Sequence, residues 1–249
     1  MEALSPDLVP MAAVVFLAYG VFGLTGLGSA LVAVPGLVQF MPLTAAVPLV
    51  LLFDMVSTVS VGARHWRRVS RPELGRLLPF MAVGVALGVG ALTGIAHRPL
   101  LVVLGVFIIA NSAWNLWAPT GRNLVSRAWA VPTGVIGGVF SALFGTGGPI
   151  YASYLARRVV EDGTALRATL VTTILSSALM RVGAFAGAGL YRPDLLVTWL
   201  TLLPFCLLGL WAGGHLHGRI TPARSRQILF VVLLVSGVMV LGRAAVVQP

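Results

Sequence analysis

Two glycine-rich stretches hold the residues whose types and spacing could do chemistry. Phe144-Gly145-Thr146-Gly147-Gly148-Pro149 interrupts an apolar run from Ala128 to Leu155, where a packed helix avoids glycine and proline. Gly26-Leu27-Gly28-Ser29-Ala30 lies 119 positions earlier, with Gly26 falling on Gly145, Gly28 on Gly147 and Ser29 on Gly148. Amides released from a helix inside a bilayer must find partners, so such breaks persist only against protein, water or a ligand. At the turn of a helical hairpin, the first amides of the following short helix sit at its positive dipole end and suit an anion. Glycine there admits positive φ and close approach of the ligand. The expected chemistry is oxyanion binding by the backbone of Gly26, Gly28, Gly145, Gly147 and Gly148, with hydroxyl donors from Ser29, Thr25 or Thr146. Matching breaks in two apolar halves point to a transport site at membrane mid-depth.

Charged residues inside apolar runs are the second signal. Arg181 stands within the run 166–186, where a guanidinium is costly unless it is paired or solvated. It binds charge there, or it snorkels to the nearby surface. Asp54 lies deeper in the run 43–63, as expected of a coupling carboxylate or an ion pair with Arg181. Ser57 and Thr58 fall on Ser176 and Ser177 at the same step of 119, so both halves offer paired supporting hydroxyls. His65, His97, His215 and His217 all fall in or next to loops, which removes the base an intramembrane serine protease at Ser29 would need. No enzyme is expected, and no cofactor. His215 and His217 are too few ligands for a metal site. Cys206, the one cysteine, lies in an apolar run and reads as a buried thiol without a disulfide partner.

The elements that must position these residues are membrane helices. Of the 249 residues 58% are hydrophobic and 10% charged, and the mean hydropathy is +0.96. Soluble domains carry about 25% charged residues. The apolar runs have helix-spanning length, and the ten-residue alternation of an outer-membrane barrel is absent. The fold class is all-α integral membrane. The first ten residues carry no positive charge, so the first apolar run is expected to stay in the mature protein. The net charge of +10 comes entirely from arginine without interleaved aromatics, which argues for topology rather than nucleic acid.

The chain reads as a duplicated inverted repeat, each half a broken re-entrant hairpin plus three transmembrane helices. Residues 1–120 hold a hairpin at 11–41 and spans at 43–63, 77–95 and 100–117. Residues 121–249 hold a hairpin at 128–156 and spans at 166–186, 195–214 and 228–247. Arg71-Pro72-Glu73 echoes Arg192-Pro193-Asp194, and Leu77-Leu78-Pro79-Phe80 echoes Leu202-Leu203-Pro204-Phe205. Gly84 and Gly88 echo Gly209 and Gly213, in the small-residue spacing that lets helices approach closely. With both termini outside, 13 arginines fall on cytoplasmic loops and 3 on the other face, as the positive-inside rule asks. A parallel arrangement leaves about 9 against 7.

The Gly26-x-Gly28-Ser29 stretch with Pro35-Gly36-Leu37, together with Phe144-Gly145-Thr146-Gly147-Gly148-Pro149, resembles the paired signatures of the sulfite exporter TauE/SafE family. The resemblance in organisation covers nearly the whole chain. It implies a permease moving small sulfur-containing anions such as sulfite, sulfonates, sulfoacetate or thiosulfate, driven by an ion gradient. The expected partners are a small anionic substrate and the lipid bilayer, with no nucleic acid; a homo-oligomer is compatible with this reading. The expected location is the bacterial cytoplasmic membrane. An anion channel of the same architecture is the competing expectation.

Overall fold

The computed structural model describes residues 7–25, 28–62, 69–117, 125–159, 163–217 and 222–246. Among them are ten α-helices and no strand. They are α1 (Leu8–Thr25), α2 (Ser29–Leu37), α3 (Leu43–Gly62), α4 (Arg71–Gly94) and α5 (His97–Trp117). After a 3-10 turn at Arg127–Trp129 come α6 (Ala130–Phe144), α7 (Gly148–Leu155), α8 (Gly163–Gly187), α9 (Pro193–His217) and α10 (Pro222–Val246). Five stretches are long and apolar enough to cross a membrane: Leu8–Thr25, Arg71–Gly94, Arg127–Phe144, Gly163–Gly187 and Pro193–Leu216. Shorter apolar helices run over Leu43–Ser57, His97–Ser112 and Val231–Ala245. The protein is a multi-pass, all-helical membrane protein. At 9 and 8 residues, α2 and α7 are only about 12–14 Å long, half the hydrocarbon thickness.

Packing gathers the helices into two compact units that each draw on both halves of the sequence. The first comprises Met1–Ser57, Ile95–Trp117 and Tyr191–Pro249, hence α1, α2, most of α3, α5, α9 and α10. Its α1 lies along α9, and its α5 along α10. The second comprises Thr58–Gly94 and Ala118–Leu190, hence α4, α6, α7 and α8, with α4 lying along α6.

Glycine sets how close these pairs come. In the first unit, a Cβ on Gly209 would run into the Phe16 carbonyl oxygen and one on Gly213 into that of Gly20. In the second, a Cβ on Gly84 would run into the Val135 carbonyl oxygen and one on Gly88, at 2.8 Å, into that of Val139. A step of 119 carries Phe16 onto Val135 and Gly20 onto Val139. A step of 125 carries Gly84 onto Gly209 and Gly88 onto Gly213. Each unit therefore makes the same glycine-to-carbonyl contacts. In both cases the long arm before a glycine break packs on a helix from the opposite half of the sequence.

Candidate functional site

The second unit carries a break whose donors are left open. Helix α6 ends at Gly145 in the left-handed region, φ 73° and ψ 8°, which a side chain would strain. The Gly145 amide donates to the Ser141 carbonyl at 2.8 Å, the 5→1 bond of an αL cap, and the Thr146 amide donates to the Phe140 carbonyl at 3.3 Å. Gly147 then turns the chain into α7, and Pro149 stands in its first turn, where its missing N–H is no loss. The Ile150 and Tyr151 amides both donate to the Gly147 carbonyl at 3.1 Å. The Gly147 and Gly148 amides take no partner among the described residues.

The hydroxyls around this tip are buried. Thr146 is 2% exposed and its Oγ1 has no hydrogen-bond partner among the described residues. Ser177, at 1% exposed, is in the same position and lies beside the Tyr151 hydroxyl. Tyr151 comes within 3.5 Å of Ser141 Oγ. Its ring occupies the space a side chain on Gly137 would need. A Cβ on Gly147 would meet Ser141 Oγ and, at 2.6 Å, the Gly137 carbonyl oxygen. Gly148 is open by comparison, facing only the Ile174 Cδ1 at 3.7 Å. Ser176 is half-buried on α8.

Arg181 is 4% exposed and donates from Nη1 to the Ser141 carbonyl at 3.1 Å. It points into the unit, so the snorkelling alternative is overturned: helix rotation, not distance from the helix end, decides where the side chain goes. Its location has an electrostatic consequence. At a hairpin tip the negative end of one helix meets the positive end of the next, and the two fields oppose each other. A guanidinium on the carbonyl end of α6 weakens the negative partner and leaves the positive end of α7 dominant.

The break in the first unit is built the other way. Gly28, with φ 90° and ψ 10°, precedes α2. Ser29, the first residue of α2, donates from Oγ to Asp54 Oδ1 at 2.8 Å. Tyr19, fully buried on α1, donates to the same oxygen at 2.8 Å. Thr25 Oγ1 donates to the Val21 carbonyl of its own helix at 2.8 Å. The Ser29 proton, expected to face a substrate, is directed to an internal carboxylate instead. Ser57 is buried with Oγ 3.9 Å from the Cys206 sulfur, and Cys206 is buried as expected. Gly26 and the side chain of Thr58 lie outside the described residues. Asp54 belongs to the first unit and Arg181 to the second.

Reading the sequence alone misses Tyr19, Ser141 and Tyr151 as members of these clusters. Tyr19 could have been suspected from a polar ring in an otherwise apolar helix, but nothing in the sequence pairs it with a carboxylate 35 positions away. No group of three or more His, Cys, Asp or Glu side chains that could hold a metal occurs among the described residues.

Comparison with known proteins comes to the same place. A family profile described as Sulfite exporter TauE/SafE matches residues 11–240. The chain is 30% identical over 197 residues to the "Probable inner membrane transporter protein TsaS" of Comamonas testosteroni, covering 76% of this chain and 80% of that protein. It is 26% identical over 203 residues to the "Probable sulfite/organosulfonate exporter TauE" of Cupriavidus necator, covering 80% and 78%. No solved structure matches it significantly.

Proposed function

The chain belongs to the sulfite exporter TauE/SafE family, and from that premise we propose a secondary transporter that moves a small sulfur oxyanion of the sulfite or sulfonate kind across the cytoplasmic membrane. The anion sits at the second tip, on the Gly147 and Gly148 amides and the Thr146 hydroxyl. Gly145 shapes the turn, Arg181 biases its field, and Ser177 and Ser176 line the approach along α8. The observation that carries this reading is a donor set without acceptors among the described residues: the Gly147 and Gly148 amides, and a threonine hydroxyl at 2% exposure. Buried polar groups are normally satisfied, so an unsatisfied cluster of one polarity is the imprint of a missing counterpart of the other.

Asp54 is assigned the coupling role. As a carboxylate it draws the Ser29 and Tyr19 hydroxyls to itself and places negative charge at the start of α2. Proton uptake removes that charge and frees Ser29, beside Gly28, to face an anion. Ser57 and Thr58, on the same helix, support this exchange.

The ten helices are read as two inverted repeats, 1–120 and 121–249, with re-entrant hairpins and both termini outside. The glycine-to-carbonyl contacts repeated in both units support duplication, and the arginine distribution supports the inversion. Uptake of labelled sulfite into proteoliposomes, with and without an imposed pH gradient, tests the proposal. Gradient-driven accumulation is expected for the wild-type chain. Flux that only ever dissipates the sulfite gradient identifies a channel. Thr146→Val keeps the shape and removes the hydroxyl; losing one hydrogen bond to a charged group, about 1.5–3 kcal/mol, raises KM on the order of ten- to a hundredfold. An unchanged KM refutes the seat.

A further inference from the structure

The open tip belongs to a helix that cannot hold its own direction. Helix α7 has 8 residues, well below the length at which a helix is stable alone. Near the open tip Tyr151 packs against Gly137 and Ser141, and the other end carries an ionic anchor. There Tyr154 is 3% exposed and donates to Glu73 Oε2 at 2.7 Å. Arg158, just past the helix, donates to Glu73 Oε1 from Nη2 at 3.0 Å and Nε at 3.3 Å, and from Nη1 to the Val125 carbonyl at 3.3 Å. Arg76 adds a third bond to Oε1 at 2.8 Å. Glu73, in the first turn of α4, is itself 5% exposed. Beneath it Leu77, Ala130, Tyr154 and Leu155 close into a buried apolar cluster. One carboxylate thus ties α4, the end of α7 and the segment before α6 together.

Among the described residues the other short helix has no such anchor. The step of 119 puts Pro35 where the second unit has Tyr154, and Gln39 where it has Arg158. Gln39 reaches the Pro35 carbonyl at 3.3 Å and the Met239 carbonyl at 3.5 Å, with no charge involved. The ionic clamp is confined to the helix whose tip is open.

We infer that Glu73 is a positioning residue for the anion seat: by holding Tyr154 and Arg158 it fixes the axis of α7, and so the aim of the Gly147 and Gly148 amides at the far end. The inference rests on the second tip being the seat. It separates affinity from folding, because a seat that loses its aim binds weakly even in a folded protein.

The test is labelled-sulfite uptake and sulfite-dependent thermal stabilisation of the purified full chain. Glu73→Gln is expected to raise KM about tenfold or more while Vmax per folded protein holds, a misaimed site being worth up to about a hundredfold. Tyr154→Phe, which keeps volume and removes one bond, is expected to raise KM in the same direction by less. Glu73→Gln/Arg158→Gln leaves no buried charge unpaired; it is expected to recover the melting temperature and keep the raised KM. A drop in Vmax alone, or a KM that returns with the melting temperature, means Glu73 only stabilises the fold and overturns the inference. If Thr146→Val raises KM and Glu73→Gln does not, the clamp fails and the seat stands. If neither moves KM or the thermal shift, both fall.

Discussion

At the level of single residues, the first tip has Asp54 beside it and the second Arg181, and the roles proposed for them rest on that difference. Asp54→Asn keeps an acceptor for Tyr19 and Ser29, so it is expected to fold and to bind sulfite. Because the amide cannot take up a proton, its flux should no longer respond to an imposed pH gradient; a preserved response, measured in proteoliposomes, removes Asp54 from coupling. Substitution at the second tip needs care. Gly147→Leu drives a side chain into Ser141 and the Gly137 carbonyl and is expected to unfold the hairpin, which makes it a poor probe. Gly148→Ala meets only Ile174 and also removes a helical glycine, so it should hold or raise folding stability, by up to about 1 kcal/mol, while sulfite-dependent stabilisation shrinks. The breaks were legible because glycine and proline inside an apolar run have few structural uses. The direction of Arg181 was not legible. Ser29 was legible as a hydroxyl at the tip, but whether it faces a ligand or Asp54 depends on which face of α3 turns inward, and helices polar at one or two positions do not encode that.

At the level of elements, glycine acts in two distinct ways, and composition alone does not separate them. Gly28 and Gly145 bend the chain through positive φ, whereas Gly84, Gly88, Gly209 and Gly213 admit a neighbouring backbone. Gly88→Ala is expected to lower stability by about 1–3 kcal/mol through overpacking against the Val139 carbonyl. Gly90→Ala, two residues on with nothing within 4 Å, should be neutral or stabilising, and thermal unfolding of the pair reads the difference directly. Equal losses would mean that helix propensity, not close approach, governs both. The spacing of Gly84 and Gly88 announced a packing face; the identity of the partner helix was invisible, since hydropathy marks a span without naming its neighbour. Glu73 lies just ahead of the span expected at 77–95. Arg71-Pro72-Glu73 looks like a charged loop, yet proline followed by an acid is also how a helix begins, and α4 starts there.

At the level of the whole molecule, arginine placement predicts that a tag at the N-terminus is reached by an impermeant label from outside intact cells; protection of that tag would reverse the topology. Apolar helices were legible from hydropathy, and three short echoes in order are what the sequence offers for the proposed repeat. What no linear reading supplies is the exchange of partners: α1 lies on α9, and α6 on α4. That exchange bears on how the protein is made. The glycine face of α1 leaves the ribosome about 190 residues before its partner at Gly213, which at 5–20 residues per second means roughly 10–40 s in the bilayer without a mate. During that interval the first hairpin is open to lipid and to other nascent chains, so yield should depend on insertion factors that shield it, and translating the two halves from separate messages should restore activity only when both are present in the same membrane.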